Sequence, residues 1–204
     1  MEQHQLLTLL EMQDAMNSKV NSDWRERNHE WYRAIWVECA EMLDHYGWKW
    51  WKHQECDFEQ VKLELIDILH FGLSDLIVQH DNIQALAKVL SAHWPKATES
   101  GDFKLLLEEF TLDTLQTKHF NLNRFVELAY SIGLSSEDIY VGYIGKNVLN
   151  IFRQDYGYKT GEYIKVWNGR EDNEVLVELC DELDSRDAQF KDRLYSGLAD
   201  AYPS

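Results

Sequence analysis

The sequence predicts an all-α protein, a helical bundle, on three observations. The 204 residues include only two prolines and ten glycines, which is too few for the many turns of a β-sandwich or barrel. Apolar residues make up 45% of the chain, enough for a sizeable core. In several long segments they recur every three or four positions, which is the period of a helix.

The first two helices follow from this spacing. Leucines and methionines recur along one side from about Gln5 to Val20. The second helix is predicted from about Asn28 to Tyr46, with Gly47 as its stop, because glycine commonly ends helices. Its inward face is expected to carry Trp31, Ala34, Ile35, Cys39 and Met42.

The third helix, predicted from about Asp57 to Gln79, is the most apolar segment of the chain. A helix that is apolar nearly all round is normally central in its fold. Four titratable residues nevertheless lie within it: Glu64, Asp67, His70 and Asp75. A buried carboxylate is costly unless it is paired or binds a metal, so this helix is the first candidate for a functional site.

The remaining chain reads as further helices within one domain that spans residues 1–204. Residues 82–134 are expected to form two or three shorter helices, broken near Pro95 and at Ser100-Gly101, as a smaller, mobile or interfacial subregion. Ser135 or Ser136 is the expected N-cap of a helix that runs to about residue 154. Residues 155–173 are predicted to be a functional loop, and residues 174–200 a single last helix.

The charge and cysteine content narrow the class of protein. The chain has 36 acidic and 20 basic residues, a net charge of −16, which repels phosphate backbones and anionic lipid. We therefore expect no nucleic-acid and no membrane partner. Three cysteines without a CxxC motif favour a reducing compartment, and the N-terminus has no signal-peptide pattern. The expected location is cytoplasmic.

Two carboxylate pairs form the first chemical motif. Glu38 and Glu41 are three residues apart, as are Glu64 and Asp67, so each pair projects from one helical face. If the two helices face each other, four carboxylates converge, and such oxygen donors suit Mg²⁺ or Mn²⁺ better than zinc. The alternative is that both pairs lie on solvated helix surfaces, since such spacing is common by chance.

The second motif is WKWWK at residues 48–52. A tryptophan offers a flat face for a base and an indole N–H donor. Two of Trp48, Trp50 and Trp51 are expected to pack inward, and the third to face a ligand.

The third motif is a basic stretch in an acidic protein. Residues 146–170 contain five basic residues and two acidic ones, and Lys146, Asn150 and Arg153 fall on one helical face. Such a face suits a small polyanion such as a triphosphate. The alternative is a patch of structural salt bridges with the surplus acids.

Several strings, in this order, resemble the dimeric, all-α dUTPase family within the all-α NTP pyrophosphatases. They are LEMQDAMN at 10–17, ECAEMLD at 38–44, WKWWK at 48–52, ELIDILHF at 64–71, KNVLNIFRQDYGYK at 146–159 and YIKVWxGxEDN at 163–173. The resemblance implies a helical bundle of that type, a single catalytic domain and a homodimer. Its implied reaction is the Mg²⁺-dependent hydrolysis of dUTP, and also of dUDP, to dUMP, with Mn²⁺ able to replace Mg²⁺.

The resemblance also implies a role for each matching residue. Metal ligands and catalytic carboxylates would be Glu38, Glu41, Glu64 and Asp67, with Glu38 orienting or deprotonating the attacking water. Contacts to the uracil and the sugar would come from Gln13, Asn17, Trp50, His70 and Asn150. Phosphate contacts would come from Lys146, Arg153, Tyr158, Lys159 and Lys165. Residues 82–134 match no motif.

Two other functions stay open at the level of the sequence. The carboxylate pairs are shared across the wider superfamily, so a related pyrophosphatase acting on another nucleotide, such as dCTP or a modified base, would carry them too. The high negative charge alone would also fit an acidic helical interaction protein without enzymatic activity.

Overall fold

The structure is a computed structural model, and it describes residues 1–80, 82–96, 101–185, 187 and 189–203. Over these residues the regular secondary structure is helical apart from one short hairpin, which confirms the all-α prediction. The helices are α1 (Gln3–Val20), α2 (Trp31–Tyr46), α3 (Phe58–Val78), α4 (Ile83–Ala92), α5 (Phe103–Thr117), α6 (Leu122–Ser131), α7 (Ser136–Asp155), α8 (Asp172–Glu182) and α9 (Phe190–Ala201). The strands β1 (Val166–Trp167) and β2 (Arg170–Glu171) pair antiparallel.

The first three helices lie close to their predicted positions. Helix α2 begins three residues later than predicted, because Asn28 has φ 50°, a left-handed conformation that a helix cannot contain. It ends at Gly47, as predicted, where φ is 91°. Asp57 caps α3, since its side chain accepts a hydrogen bond from the Gln60 N–H.

The later helices confirm some predicted boundaries and correct others. Three helices fill residues 82–134 in the described part, with the predicted break at Pro95, whereas Ser100 lies outside the described residues. Ser135 is the N-cap of α7: its Oγ accepts from the Asp138 N–H (3.2 Å), and its own N–H donates to the Asp138 carboxylate (2.8 Å).

The prediction of one last helix over residues 174–200 is wrong. Helix α8 ends at Glu182, and α9 starts at Phe190. The backbone of Leu183 is extended, with φ −96° and ψ 139°, which stops the helix without any glycine or proline. The predicted loop at 155–173 is also more ordered than expected, because it contains a turn of 3₁₀ helix at Tyr158–Thr160 and the hairpin.

The chain forms two compact units, Met1–Tyr140 and Val141–Ser204. In the first unit α3 is central: it packs against α2 and α1, while α2 also packs against α5 and α1 against α4. Its fully buried side chains include Val61, Leu65 and Ile68. Because α3 carries both apolar core residues and the predicted site residues, the core of this unit fixes the position of the site.

A close approach between α3 and the turn after α5 shapes the first unit. A Cβ atom on Gly72 would lie 2.5 Å from the ring of Phe120, so only glycine fits at this point. Nearby, the buried carboxylate of Asp75 accepts a hydrogen bond from the Phe120 N–H at 2.9 Å. The sequence had marked Asp75 as a buried carboxylate in need of a partner, and the backbone N–H of Phe120 is a hydrogen-bond partner for it.

In the second unit, α8 packs against α9 and against β2. Its core is aromatic: the ring of Phe152 lies 5.8 Å from that of Trp167 and 5.5 Å from that of Tyr202.

In the described part of the whole chain, no helix has the length and apolar character that a bilayer crossing requires. The predicted single domain, with residues 82–134 as a mobile or interfacial subregion, stays a prediction.

Candidate active site

Three of the four predicted carboxylates meet between α2 and α3. Glu38 and Glu41 on α2 and Glu64 on α3 each offer an oxygen, and these three oxygens lie within 4.8 Å of one another. The two helices run antiparallel. Glu64, early in α3, lies beside Glu38 and Glu41, late in α2, whereas Phe71, later in α3, lies beside Trp31 at the start of α2. The sequence spacing alone had left a solvated surface as the alternative, and the facing arrangement is the one observed.

The fourth carboxylate, Asp67, lies outside that group of three, but its charge affects the pKa of Glu38 within the group. Burial raises the pKa of the Glu38 carboxyl to about 8, and the charges of Asp67 and Glu64 add to the rise. A hydrogen bond with Glu64 and the charge of Glu41 act in the same direction. We call Glu38, Glu41, Glu64 and Asp67 the acidic cluster; its carboxylates repel one another, so a cation would stabilise it.

The donor set of the acidic cluster fits a hard divalent cation. Its potential ligand atoms are carboxylate oxygens, which Mg²⁺ and Mn²⁺ prefer, without the thiolate or imidazole donors typical of zinc sites. The imidazole Nε2 of His45 lies 3.5 Å from a Glu64 oxygen, as a neighbour of the cluster.

Two predicted base-contacting residues form a hydrogen-bonded group with a residue that the sequence analysis missed. The Gln13 amide nitrogen donates to Asn17 Oδ1 and to Ser74 Oγ, both at 3.0 Å. The Asn17 amide nitrogen donates to the same Ser74 oxygen at 2.9 Å. We call Gln13, Asn17 and Ser74 the amide cluster. Its geometry holds both amides in fixed orientations.

Ser74 could have been found from its spacing. It follows His70 by four residues and Asp67 by seven, so it continues the same face of α3. Its hydroxyl donates to the His70 carbonyl at 2.9 Å. The His70 ring, which is buried, places Nδ1 2.8 Å from the Ile66 carbonyl, so Nδ1 is the donor there because a carbonyl oxygen only accepts.

A hollow continues the seam between α2 and α3 beyond the acidic cluster. It has a volume of about 270 Å³, and its lining residues are His29, Glu30, Trp31, Ala34 and Phe71. The rings of Trp31 and Phe71 stack with centroids 6.4 Å apart. Trp31 and Ala34 share the α2 face of Glu38 and Glu41, a spacing that could have identified this aromatic hollow from the sequence.

The WKWWK segment differs from its prediction. All three tryptophans are exposed, Trp50 most of all at 89%, so the expectation that two of them pack inward is wrong. They pack edge to face on one another, with Trp50 and Trp51 centroids 5.4 Å apart. Trp50 lies in the loop before α3, whereas Ser74 lies near the end of α3, so the structure does not group Trp50 with the amide cluster.

The predicted basic face is found on α7, in the second unit. Lys146 is buried, and its Nζ donates to Asn173 Oδ1 at 3.2 Å. Arg153 donates from Nη1 to Asn150 Oδ1 at 3.3 Å and from Nη2 to Asn173 Oδ1 at 3.4 Å. We call Lys146, Asn150 and Arg153 the cationic face. The shared acceptor Asn173 brings its two cations together.

A buried ion pair lies behind the cationic face. Arg153 donates from Nε and Nη2 to the two oxygens of Asp172 at 2.8 and 2.9 Å. Tyr163 Oη also donates to Asp172, at 2.8 Å. Burial alone would raise the pKa of Asp172, but the hydrogen bonds and charge of Arg153, with the Tyr163 hydrogen bond, hold that pKa below its usual range. Neither Asp172 nor Tyr163 was assigned a role at the level of the sequence.

The other predicted phosphate-binding residues follow α7. The ring of Tyr158 lies 5.9 Å from the Arg153 guanidinium carbon, and Lys159, next to it, is exposed. Lys165 pairs with Glu171 at 3.3 Å across the hairpin. Structural salt bridges, the alternative for this basic stretch, therefore exist at Arg153 and Lys165.

The structure thus distributes the predicted site residues over two units. The acidic cluster, the amide cluster, His70 and Trp50 lie in the first unit. The cationic face, Tyr158, Lys159 and Lys165 lie in the second. Within each unit, side chains far apart in sequence converge.

A family model described as dUTPase matches residues 5–158. The match includes every predicted site residue except Lys159 and Lys165, and it includes residues 82–134, where no motif was recognised. A comparison with curated proteins finds no match. Since the family model matches well over half of this chain, the chain belongs to the dUTPase family and is a dUTP diphosphatase, a hydrolase.

Proposed function

We propose that the protein is a homodimer that hydrolyses dUTP, and dUDP as well, to dUMP in a Mg²⁺-dependent reaction. The observation that carries the proposal is the meeting of three carboxylate oxygens within 4.8 Å between α2 and α3. Like charges this close in a half-buried seam are unfavourable unless a cation balances them, and the reaction of the family acts on a polyanion that itself binds Mg²⁺.

In this proposal the acidic cluster, Glu38, Glu41, Glu64 and Asp67, holds Mg²⁺, with Mn²⁺ able to replace it. When bound, the metal polarises phosphoryl oxygens and acidifies water. A bound cation would favour the carboxylate form of Glu38 over the protonated form, and that carboxylate would then orient the attacking water and accept its proton. Support for this role is the position of Glu38 within the cluster and its half-buried carboxyl, which water can still reach.

The amide cluster recognises the base. Uracil presents two carbonyl acceptors around one N–H donor, and an amide side chain can both donate and accept. Because Ser74 holds Gln13 and Asn17, their orientation is set before the nucleotide binds. Cytosine has a donor where uracil has an acceptor, so a fixed amide rejects it. The extra methyl of thymine is worth only about 1–3 kcal/mol in a fitted pocket.

The remaining nucleoside contacts are assigned by the resemblance and by position. His70 contacts the sugar, and the hydrogen-bonded face of α3 that it shares with Ser74 supports this role. Trp50 and Asn150 contact the nucleoside. The 89% exposure of Trp50 supports its role, because such an exposed indole face is available to a ligand.

The cationic face, with Tyr158, Lys159 and Lys165, binds the phosphate chain. Arg153 binds phosphate oxygens through its planar fork, and Lys146 acts as a point charge. These groups neutralise the charge that develops on the leaving phosphate. The hydrogen bonds that join Lys146 and Arg153 to Asn173 support a common ligand for the two.

The homodimer is supported by exposed apolar surface in the first unit. Leu105, Leu112 and Leu115 on α5 are 59%, 56% and 45% exposed, and their spacing of seven and three residues forms one stripe. A stripe of this kind is typical of a surface that a partner covers.

A substrate panel tests the proposed function. Metal-free protein is incubated with dUTP, dUDP, dCTP, dTTP or UTP, with and without Mg²⁺, and the products are separated by chromatography, while light scattering gives the mass in solution. We expect dUMP from dUTP and dUDP only when Mg²⁺ is present, and a dimer mass. Preferred hydrolysis of another nucleotide would contradict the role of the amide cluster. A folded protein that hydrolyses none of them, also with Mn²⁺, would contradict the proposal as a whole.

A further inference from the structure

Asp172, the first residue of α8, connects three segments of the second unit. Its carboxylate accepts two hydrogen bonds from Arg153 on α7 and one from Tyr163 in the following segment. Its backbone N–H donates to the carbonyl of Lys165 at 3.0 Å. Two of the proposed phosphate-binding residues, Arg153 and Lys165, therefore contact this one aspartate.

The contact with Arg153 is one that fixes orientation. Asp172 is fully buried, and the Arg153 side chain is only 12% exposed. A pair of parallel hydrogen bonds between a guanidinium and a carboxylate fixes the plane of the guanidinium as well as its position. Asp172 accepts along the edge formed by Nε and Nη2, and Asn150 accepts from Nη1, so both edges of the guanidinium have fixed directions.

The next residue, Asn173, also positions a cationic side chain, that of Lys146. Its Oδ1 accepts from Lys146 Nζ at 3.2 Å and from Arg153 Nη2 at 3.4 Å. Lys146 and Arg153 are seven residues apart on α7, and one amide oxygen between them sets the separation of their charges.

We propose that Asp172, assisted by Asn173, is a positioning residue that orients Arg153 and Lys146 for the phosphate chain of the substrate. Both residues lie outside the segment that the family model matches. The inference rests on the proposed phosphate-binding role of the cationic face. It adds that this face binds phosphate well only while Asp172 holds Arg153 in place.

The test measures binding of inorganic tripolyphosphate with Mg²⁺ by calorimetry, beside steady-state kinetics with dUTP. The variants are Asp172→Asn, Arg153→Ala and the double variant. Misplacement of a binding group by about 1 Å costs up to about 100-fold. We therefore expect Asp172→Asn to weaken tripolyphosphate binding, and to raise the KM for dUTP, by about 10- to 100-fold with a smaller change in kcat.

The double variant separates positioning from a merely structural role. If Asp172 acts through Arg153, the double variant binds tripolyphosphate within about twofold of Arg153→Ala alone. If Asp172 only connects α7 to α8, the loss of binding caused by Asp172→Asn adds fully to the loss caused by Arg153→Ala, and the inference fails. It also fails if Asp172→Asn melts at a lower temperature but binds tripolyphosphate as the wild type does.

Two further variants keep the test decisive. Glu178→Gln removes the carboxylate partner of Arg170, an exposed pair in the same unit, and should leave binding and activity unchanged. Tyr163→Phe removes only the hydroxyl that donates to Asp172, so it serves if Asp172→Asn does not fold. We expect Tyr163→Phe to weaken tripolyphosphate binding less than Asp172→Asn does, and to have no effect on binding when Arg153 is already alanine. A full additional loss of binding in the Arg153→Ala background would overturn the inference.

The outcomes also separate this inference from the proposed function. A wild-type protein that binds tripolyphosphate but does not hydrolyse dUTP would refute the function and leave the positioning role to be judged by binding alone. A wild-type protein that hydrolyses dUTP, with Asp172→Asn equal to it in KM and in tripolyphosphate binding, would refute the positioning role and leave the function intact.

Discussion

The acidic cluster and the cationic face differ in how the protein treats their charges. In the acidic cluster the carboxylates repel one another, and burial together with this repulsion raises the pKa of Glu38 to about 8. On the cationic face Arg153 is balanced by the buried Asp172, whose pKa is lowered. The first arrangement is unfavourable on its own, and the proposed cation would balance it. The second is favourable on its own and holds its groups ready.

This difference predicts opposite responses to removing one charge. Taking a carboxylate out of the acidic cluster relieves repulsion and removes a proposed metal ligand, so activity is lost while stability is kept. Taking the cation out of the Arg153–Asp172 pair leaves a buried carboxylate without its main partner, so stability is lost as well.

The largest expected effect is on activity, from Glu41→Gln. The substitution keeps the shape of the side chain but removes its charge from the acidic cluster. We expect kcat/KM for dUTP to fall about 1,000-fold or more, a loss above about 4 kcal/mol, because transition-state charge is no longer stabilised. The melting temperature of the metal-free variant should equal or exceed that of the wild type, as measured by calorimetry.

Glu127→Gln, an exposed carboxylate on α6, is the control for the loss of one negative charge. It should leave activity and stability unchanged. Full activity of Glu41→Gln would show that this carboxylate does not bind the metal, and a large loss of stability would contradict the repulsion argument.

The second effect is on stability, from Arg153→Ala. The variant leaves Asp172 buried with its Tyr163 hydrogen bond but without the guanidinium. Because Arg153 itself is slightly exposed, we expect a loss of about 2–3 kcal/mol in the free energy of unfolding. Urea denaturation measures it. An unchanged free energy of unfolding would mean that Asp172 is stabilised by other groups, so that the acidic cluster and the cationic face do not differ in this way.

The two sites also differ in how much of them the sequence could predict. The acidic cluster depends on spacing. Each pair at i and i+3 projects from one face of its helix, and the two faces meet between α2 and α3, so periodicity could identify Glu38, Glu41 and Glu64 as candidates. The Arg153–Asp172 pair depends on where the hairpin leads the chain after α7. No periodic pattern in the sequence determines that path, so Asp172 was missed.

The helix boundaries were predictable from the sequence to a similar extent. The boundaries of α1 and α3 were predictable from apolar spacing, and the end of α2 from Gly47. The break between α8 and α9 was not, because the polar segment after Glu182 contains neither glycine nor proline. The exposed tryptophans were mispredicted because apolar character usually indicates burial, and the structure leaves all three in solvent.

The third effect is a difference in pH dependence. Above about pH 4.5 the unfolded chain releases the Glu38 proton, while the folded protein retains it until about pH 8. Over this window the metal-free protein therefore loses stability as the pH rises. Asp172 acts in the opposite direction: its lowered pKa stabilises the fold above the ordinary aspartate range, and this contribution is lost on acidification.

Thermal unfolding of metal-free protein at pH 5.5 and 8.0, with and without Mg²⁺, checks this prediction. Mg²⁺ should raise the melting temperature more at pH 8.0, and Glu38→Gln should remove most of the pH difference. Equal stabilisation by Mg²⁺ at both pH values would indicate that the cation binds outside the acidic cluster.

The smallest effect concerns the amide cluster, which resembles the cationic face in having its groups held in place. Ser74→Ala removes the hydroxyl that accepts from both Gln13 and Asn17. The amides can then turn toward cytosine as well as uracil, so we expect the preference for dUTP over dCTP in kcat/KM to fall about tenfold, or about 1.4 kcal/mol. Ser131→Ala, whose hydroxyl donates within α6, is the control. A preference that survives Ser74→Ala would mean that base selection depends on the hollow at Trp31 and Phe71 instead of on the two amides.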